Sequence, residues 1–408
     1  VRRLLHVRAY RSLFAGQALA TGGHQVAALA LPTLAITQLH ATPLQVGLLG
    51  ALAYVPTTLF GLIAGVVVDR LPRRALMVGA DLGRAAVIGV VGVAAFTRHI
   101  GLLDLDLAAA SVGLLALVFD VSYQSHVPDL VEPDQLAQAN GALEVNKSAA
   151  TVVGPGLSGG LMETLGIGRA LFIAAGALML SLGILSRGAP SRRPAAPRRT
   201  RIRDDVVEGV RLVFRDRRLV AIAMCTATSN LGAFAFWSVG LVFAYRTLGL
   251  TPGQYGLIAA VGNLGLLAGA IAAAPVARRF GVGRSLFLAE MLLGAAMVAT
   301  PLAALGMAGV VLAATQLVTN FQLPVYGVNQ VALRQALTPR EVQGRMNAIM
   351  RTVAVSTIPV GSLLGGALAS AGGPQTAMVV GGLIACLAPL WLLGLLSVRS
   401  VSVQPAAA

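Results

Sequence analysis

His24, Asp120, Glu144 and Lys147, the last being the only lysine of this 408-residue chain, are able to carry a proton or a charge and stand inside long apolar runs. An ionisable group in hydrocarbon costs several kcal/mol or more unless it is paired or wetted, so each of them calls for a function or a partner. An aspartate in a cavity can take a proton from one side of a membrane and release it to the other, and Asp120 is the leading candidate for that chemistry. His24, near neutral by its intrinsic chemistry, is the second. Glu144 and Lys147 lie three residues apart, where helical spacing lets them neutralise each other as an ion pair. Asp81 and Arg84 repeat that spacing in what reads as a structural pair.

Other motif-like patterns lack the context their chemistry needs. Gly154-x-Gly156-x-x-Gly159 mimics a dinucleotide loop, Gly156-x-Ser158-x-Gly160 a nucleophile elbow, and Gly141 to Ser148 a phosphate loop with Asn146 in place of its second glycine. The first two need a strand before them, and all three fall in one apolar helical run. Cys225 and Cys386 offer no disulfide framework, and His6, His24, His40, His99 and His126 have no zinc spacing. No catalytic cluster, metal site, cofactor or nucleotide-binding domain is expected, so enzymatic activity and direct ATP drive are set aside.

The elements that must hold these groups are membrane helices. Hydrophobic residues make up 56% of the chain and charged ones only 12%; with a mean hydropathy of +0.78, this is not the balance of a soluble domain. A bilayer core needs about 20 mostly apolar residues per helix. Such runs recur at 12–39, 44–68, 75–97, 107–127, 137–162 and 168–186, and again at 218–246, 253–276, 285–303, 305–327, 344–370 and 374–397. The runs are apolar on all sides, which excludes the polar–apolar alternation of a membrane β-barrel. Most of the 31 basic residues fall in the two tails and in alternate loops near 70, 200, 280 and 340, whereas Arg98, Arg169 and Arg246 sit in the intervening loops. That bias puts both termini in the cytoplasm and accounts for the net charge of +15 without nucleic acid. The first run is too long for a cleavable signal peptide and continues into a multi-spanning pattern.

The chain also repeats itself. Thr42-Pro43-Leu44-Gln45-Val46-Gly47-Leu48 returns as Thr251-Pro252-Gly253-Gln254-Tyr255-Gly256-Leu257, and the same shift pairs Arg70 with Arg279 and Asp81 with Glu290. Pro133, Gly159, Gly160 and Gly166 match Pro339, Gly365, Gly366 and Gly372 at a slightly smaller shift, so a short length difference falls between the third and fifth runs. The organisation is therefore an N-terminal six-helix bundle (1–186), a basic cytoplasmic linker (187–217) and a C-terminal six-helix bundle with a short tail (218–408). Within the linker, the segment from Asp204 to Phe214 has an amphipathic pattern suited to anionic lipid headgroups.

Two motifs tie the chain to a known family. The loop after the second run, from Gly65 through Asp69, Arg70 and Leu71-Pro72 to Arg73 and Arg74, has the form G-x-x-x-D-R-x-x-R-R. In the fifth run, Gly141, Ala150, Gly154, Pro155, Ser158 and Gly159 follow G-x8-G-x3-G-P-x2-G-G, with Ala150 and Ser158 replacing two glycines. Together they resemble the major facilitator superfamily of secondary transporters, and within it the drug:proton antiporter branch that includes the enterobactin exporter and macrolide efflux proteins. Gly47-Leu48, Asp81-Leu82-Gly83-Arg84, Pro128-Asp129-Leu130-Val131 and Ala139-Asn140 extend the likeness over nearly the whole chain.

The resemblance implies an all-α membrane protein of twelve transmembrane helices in two pseudo-symmetric six-helix bundles, exporting amphipathic or hydrophobic small molecules by alternating access. Protons are the implied coupling ion, and the bacterial inner membrane the location of a monomer surrounded by lipid. The gating loop would latch one state, with Asp69 at a neighbouring helix end and its arginines on headgroups or on acids such as Asp81 or Asp129. Helices one, four, seven and ten line the cavity in that family. This directs attention to His24 and Asp120, and beyond them to Asn230, Phe234, Trp237, Gln316, Asn320 and Tyr326, with Phe236, Phe321 and Gln322 nearby. So few charges and so many rings imply an apolar cargo. An importer or lipid flippase of the same fold, and a non-transporting membrane sensor or scaffold, are the alternatives.

Arginine placement makes the topology testable. Reporter fusions near Arg74, Arg199 and Arg340 are expected to read cytoplasm, and fusions near His99, Gly166 and Gly249 the outside; one inverted loop breaks the twelve-span count.

Overall fold

The computed structural model describes residues 8–68, 71–132, 135–186, 202–339 and 342–398, and helix dominates them, with no strand among the described residues. In chain order the helices are α1 (Arg8–Thr37), α2 (Pro43–Val68), α3 (Arg73–Phe96), α4 (Leu102–His126), α5 (Leu136–Leu165), α6 (Ile167–Leu185), α7 (Ile202–Arg215), α8 (Arg217–Val242), α9 (Pro252–Phe280), α10 (Val282–Ala299), α11 (Ala308–Leu337) and α12 (Gln343–Leu387). Among the described residues, ten stretches are long and apolar enough to cross a bilayer. The last of these, Gln343–Leu395, runs 53 residues, far more than one crossing needs. It breaks at Gly373, whose φ of 86° only glycine adopts readily, and so holds two of the expected spans. α5 has ample length at 30 residues, but Asn140, Glu144, Asn146 and Lys147 dilute its apolar character. The all-α, two-bundle architecture expected from the sequence is the one observed.

Helix ends explain where the boundaries differ from those read off hydropathy. α4 starts at Leu102, ahead of the apolar run at 107, because the Asp104 carboxylate accepts from the Gly101 amide at 2.8 Å and closes the first turn. α11 continues ten residues past 327, to Leu337, beyond the stretch that hydropathy alone marks. The repeated Thr-Pro-x-Gln motif is a reciprocal cap. The Thr42 amide donates to Gln45 Oε1 at 2.7 Å while the Gln45 amide donates to Thr42 Oγ1 at 3.3 Å. Thr251 and Gln254 make the same pair at 3.0 and 3.2 Å. With proline at the first helical position, both α2 and α9 begin on preorganised turns.

The chain forms two compact units, one of residues 1–198 with 249–260, the other of 199–248 with 261–408. In the first, α3 and α1 pack on α6, α2 and α3 on α4, and α1 on α5. In the second, α8 lies along both limbs of α12, and α10 packs on α11 and α12. Small residues make these approaches possible, since lipid supplies no hydrophobic drive for burying large ones. A Cβ on Gly23 of α1 would stand 2.8 Å from the Ala174 carbonyl oxygen of α6, and one on Gly232 of α8 would stand 2.4 Å from that of Gly381 in α12. Gly23 and Gly232 occupy matching places in the repeat, so the halves share a packing device as well as a pattern. Large apolar side chains instead face outward, as Ile271 and Val90 do at 79% and 69% exposure.

α7 covers the predicted amphipathic segment. It docks within its own unit: Val213 is buried with Met346, Ile349 and Met350, and Glu208 pairs with Arg345 at 2.8 Å. Val207, Val210 and Phe214 stay exposed. The rest of the linker, 187–201, lies outside the described residues.

The grouping of 249–260 with the first unit comes from a glycine contact. A Cβ on Gly159 of α5 would lie 2.3 Å from the Pro252 carbonyl oxygen and 3.0 Å from Gly256 Cα. Gly160 beside it faces open space. Gly159→Ala is therefore expected to cost about 1–3 kcal/mol through overpacking. Gly160→Ala should be neutral, or stabilising by up to about 1 kcal/mol through helix propensity. Thermal unfolding of the purified variants checks the contrast.

Candidate functional site

Three helices of the first unit each turn one polar stripe to the same side. On α1 it is Gln17, Thr21 and His24; on α4, Asp120 with Tyr123 and Gln124; on α5, Asn140, Glu144 and Lys147. The spacings of three and four residues place each set on a single helical face. The stripes, with Arg84 of α3 and the apolar Ala20, Ala116, Phe119 and Leu143, enclose a cavity of about 400 Å³. His24, Asp120, Glu144 and Lys147, the four ionisable groups expected from the sequence to matter, all meet there.

Three hydrogen bonds between α1 and α5 hold the walls. Tyr10 Oη donates to the Ala139 carbonyl at 2.8 Å, Asn146 Nδ2 to that of Phe14 at 3.0 Å, and Gln25 Nε2 to that of Ala150 at 3.4 Å. Gly154 lets the Gln25 stem lie against α5, since a Cβ there would meet it at 2.8 Å. Pro155 continues the same helix, with its carbonyl toward Gly256 of α9, while Gly141 faces open space.

The wall at Arg84 is electrostatic. Its guanidinium is bonded to Asp81, lies 4.6 Å from the centre of the Phe119 ring, and is almost fully buried. Asp81, fully buried, also accepts from the Ser181 hydroxyl at 3.0 Å. Phe119 in turn stacks on Tyr123 at 6.1 Å between ring centres. Arg84 Nε and Gln17 Oε1 are both buried and have no protein partner among the described residues. Among the described residues, two side chains that line the cavity thus each keep an unsatisfied polar atom, which is costly when buried.

Several expectations need correcting. Glu144 and Lys147 form no ion pair; both side chains are exposed along the cavity rim, where water competes with their mutual attraction. The cavity of the first unit carries Arg84, Asp120, Glu144 and Lys147, so it differs from the charge-poor, ring-lined surroundings expected of the second-half candidates. Asp81 is bonded to Arg84 and Ser181, and among the described loop arginines Arg73 and Arg74 turn to backbone carbonyls instead. Of the gating-loop residues, Arg73 donates to the Ser125 carbonyl at 2.8 Å, and Arg74 to the carbonyls of Leu185, at 3.1 Å, and Ser186. These are the exposed carbonyls at the ends of α4 and α6, which attract a cation through the helix dipole. Gly65 falls near the end of α2. Asp69 and Arg70 lie outside the described residues, as does the side chain of Asp129.

The candidates in the second unit are dispersed. Asn230 bonds the Ala354 carbonyl at 2.9 Å, tying α8 to α12. Asn320 bonds Asn263 at 2.9 Å, and Gln316 packs on Gly262, both tying α11 to α9. Phe234 and Trp237 form an edge-to-face pair at 5.3 Å. Tyr326, expected in a cavity, is buried in the core and shares a 2.8 Å hydrogen bond with Thr226, because its ring fills the space between α8 and α11. Gln17, Thr21, Gln124 and Asn140 were not anticipated, although their spacing from His24, Asp120 and Glu144 is the signal that marks them.

A description of the Major Facilitator Superfamily matches residues 13–245 and again 222–407, one match for each half of the repeat. The chain belongs to this superfamily. Its members move solutes rather than transform them. The chain is 27% identical over 390 residues to the multidrug efflux pump Tap of Mycolicibacterium fortuitum, covering 93% of this chain and 92% of the pump. It is 28% identical over 397 residues to Tap of Mycobacterium tuberculosis (strain ATCC 25618 / H37Rv), covering 93% and 90%. Among solved structures it resembles the nucleoside transporter NupG, with a TM-score of 0.78 at 9% identity over 95% of this chain and 99% of that one. It also resembles a bacterial homolog of the human lysosomal transporter Spinster, with a TM-score of 0.74 at 14% identity over 98% of both chains. These structures share the fold.

The buried pair in the wall of the facilitator's cavity yields a stability prediction. Arg84→Met strands Asp81 as a buried charge and is expected to cost about 3–5 kcal/mol, whereas Asp81→Asn combined with Arg84→Met should recover most of it. Denaturant unfolding of the detergent-solubilised single and double variants measures the difference.

Proposed function

We propose that the chain is a proton-coupled exporter of amphipathic small molecules, acting by alternating access in the bacterial inner membrane as a monomer with both termini cytoplasmic. The observation that carries this reading is the polar cavity in the first unit, where Asp120 and Glu144 stand with Lys147 and His24 on converging helix faces. A secondary transporter needs a group that gains and loses a proton as access changes, and it needs that group where cargo can compete with the proton. Both carboxylates meet the requirement, and Asp120, on a helix of the inner wall, is the better placed. The export direction draws on the two Tap pumps, named for multidrug efflux, together with the glycine-proline pattern of α5.

The lining favours an amphipathic cargo over a wholly apolar one. A hydrophobic body can lie on Phe119, Leu143 and the alanines, while a cationic or hydrogen-bonding head meets Asp120, Glu144 and Gln17. Lipid around the bundle would serve as the route by which such molecules arrive.

Uptake into inside-out vesicles tests the proposal, using a panel of amphipathic compounds with and without an imposed pH gradient. Asp120→Asn is expected to abolish gradient-driven accumulation while leaving downhill exchange in place. Pumping against a gradient with unchanged pH dependence in that variant removes Asp120 from the coupling scheme, and the same assay on His24→Gln and then Glu144→Gln locates the proton site on α1 or α5.

A further inference from the structure

The repeat places an acid at equivalent positions of the two units, Asp81 on α3 and Glu290 on α10, but surrounds them differently. Asp81 has Arg84 one turn on and the Ser181 hydroxyl across from it. The position corresponding to Arg84 in the second unit is Leu293, itself buried. Glu290 is 2% exposed, near the middle of α10, and its one hydrogen bond comes from the Ser229 hydroxyl of α8, which donates to Oε2 at 2.6 Å. No arginine, lysine or histidine pairs with it among the described residues.

Among the described residues, the titratable groups that act electrostatically with Glu290 are the Cys225 thiol of α8 and the Tyr326 phenol of α11. From α12, Cys386 packs against Gly294, one turn along α10. Arg334 lies two turns beyond Tyr326 on α11, and its electrostatic partner is the Tyr326 phenol. None of these brings a positive charge to the carboxyl. An ionised carboxylate so placed would bear the full cost of burial in a low-dielectric interior, and such a group binds a proton instead. A neutral Glu290 would accept the Ser229 bond at Oε2 and carry its proton on Oε1.

We infer that Glu290 is a second proton-carrying carboxyl, held neutral between α8 and α10 in this arrangement and ionised when the packing around Ser229 opens to water. The first unit keeps its acid charged with a fixed arginine. The second keeps the acid and has lost the arginine, so only a proton can compensate it. This deepens the proton-coupled reading and rests on it.

Infrared difference spectroscopy on the full chain in lipid vesicles tests the protonation state directly. At neutral pH the wild type is expected to show the carbonyl band of a protonated carboxylic acid that Glu290→Gln removes and Asp120→Asn retains. A spectrum that Glu290→Gln leaves unchanged means Glu290 is ionised, and the inference fails. Glu290→Gln mimics the neutral acid, so it should fold and still exchange ethidium, a fluorescent lipophilic cation, across the vesicle membrane. Its gradient-driven ethidium efflux is expected to fall roughly tenfold or more, and to lose its pH dependence. Wild-type rates and pH dependence in Glu290→Gln overturn the role of Glu290 alone. Wild-type efflux indifferent to an imposed pH gradient overturns the proton-coupled reading itself, whatever the infrared band shows.

Discussion

In a bilayer interior a polar side chain has no water to return to, and nearly every arrangement in this molecule answers to that condition. Backbone groups are satisfied inside helices, so the chain is helical wherever it is apolar. Side-chain groups are satisfied across helices. Tyr10, Asn146 and Gln25 each reach a carbonyl of the neighbouring helix, and Asn230 and Asn329 do the same in the second unit. The helices must approach closely for such short reaches to succeed, and the glycines that permit it, Gly23, Gly154 and Gly232, stand beside these bonds or between the same helices. Packing and polar satisfaction are in this sense one constraint.

The cavity is where that constraint is relaxed. Arg84 can stand in its wall because Asp81 and Phe119 compensate its charge. Asp120, Glu144 and Lys147 gather around a space wide enough for water or cargo, where charge is less costly than in a dry helix contact. A transporter draws its binding energy from polar and charged groups that line such a space, and a membrane protein tolerates them only where the wall is otherwise rigid.

The two halves preserve what folding needs and diverge in what handles charge. The reciprocal Thr-Gln caps of α2 and α9 survive in both, as do the glycine approaches at Gly23 and Gly232, because losing either disturbs a helix start or a helix crossing. The acid at Asp81 and Glu290 also survives, whereas its arginine does not. Beside the polar stripes of α1, α4 and α5, the second-unit residues Asn230, Asn320 and Tyr326 are engaged in joining helices.

Hydropathy, arginine placement and the internal repeat were enough by themselves to establish a helical membrane protein with two related bundles, because bilayer thickness and backbone hydrogen bonding leave few alternatives for such a sequence. The loop and glycine-proline motifs were enough for the superfamily, and spacing marked His24, Asp120, Glu144 and Lys147 as unusual. Only the tertiary structure decided which of these meet. The separation of Glu144 from Lys147 along a rim, the capping of helix ends by Arg73 and Arg74, the return of Arg84 to the cavity wall and the isolation of Glu290 all depend on how neighbouring helices are rotated about their axes. Helix rotation is set by which small residues face each other across the chain, a long-range condition that the local spacing of charges does not carry.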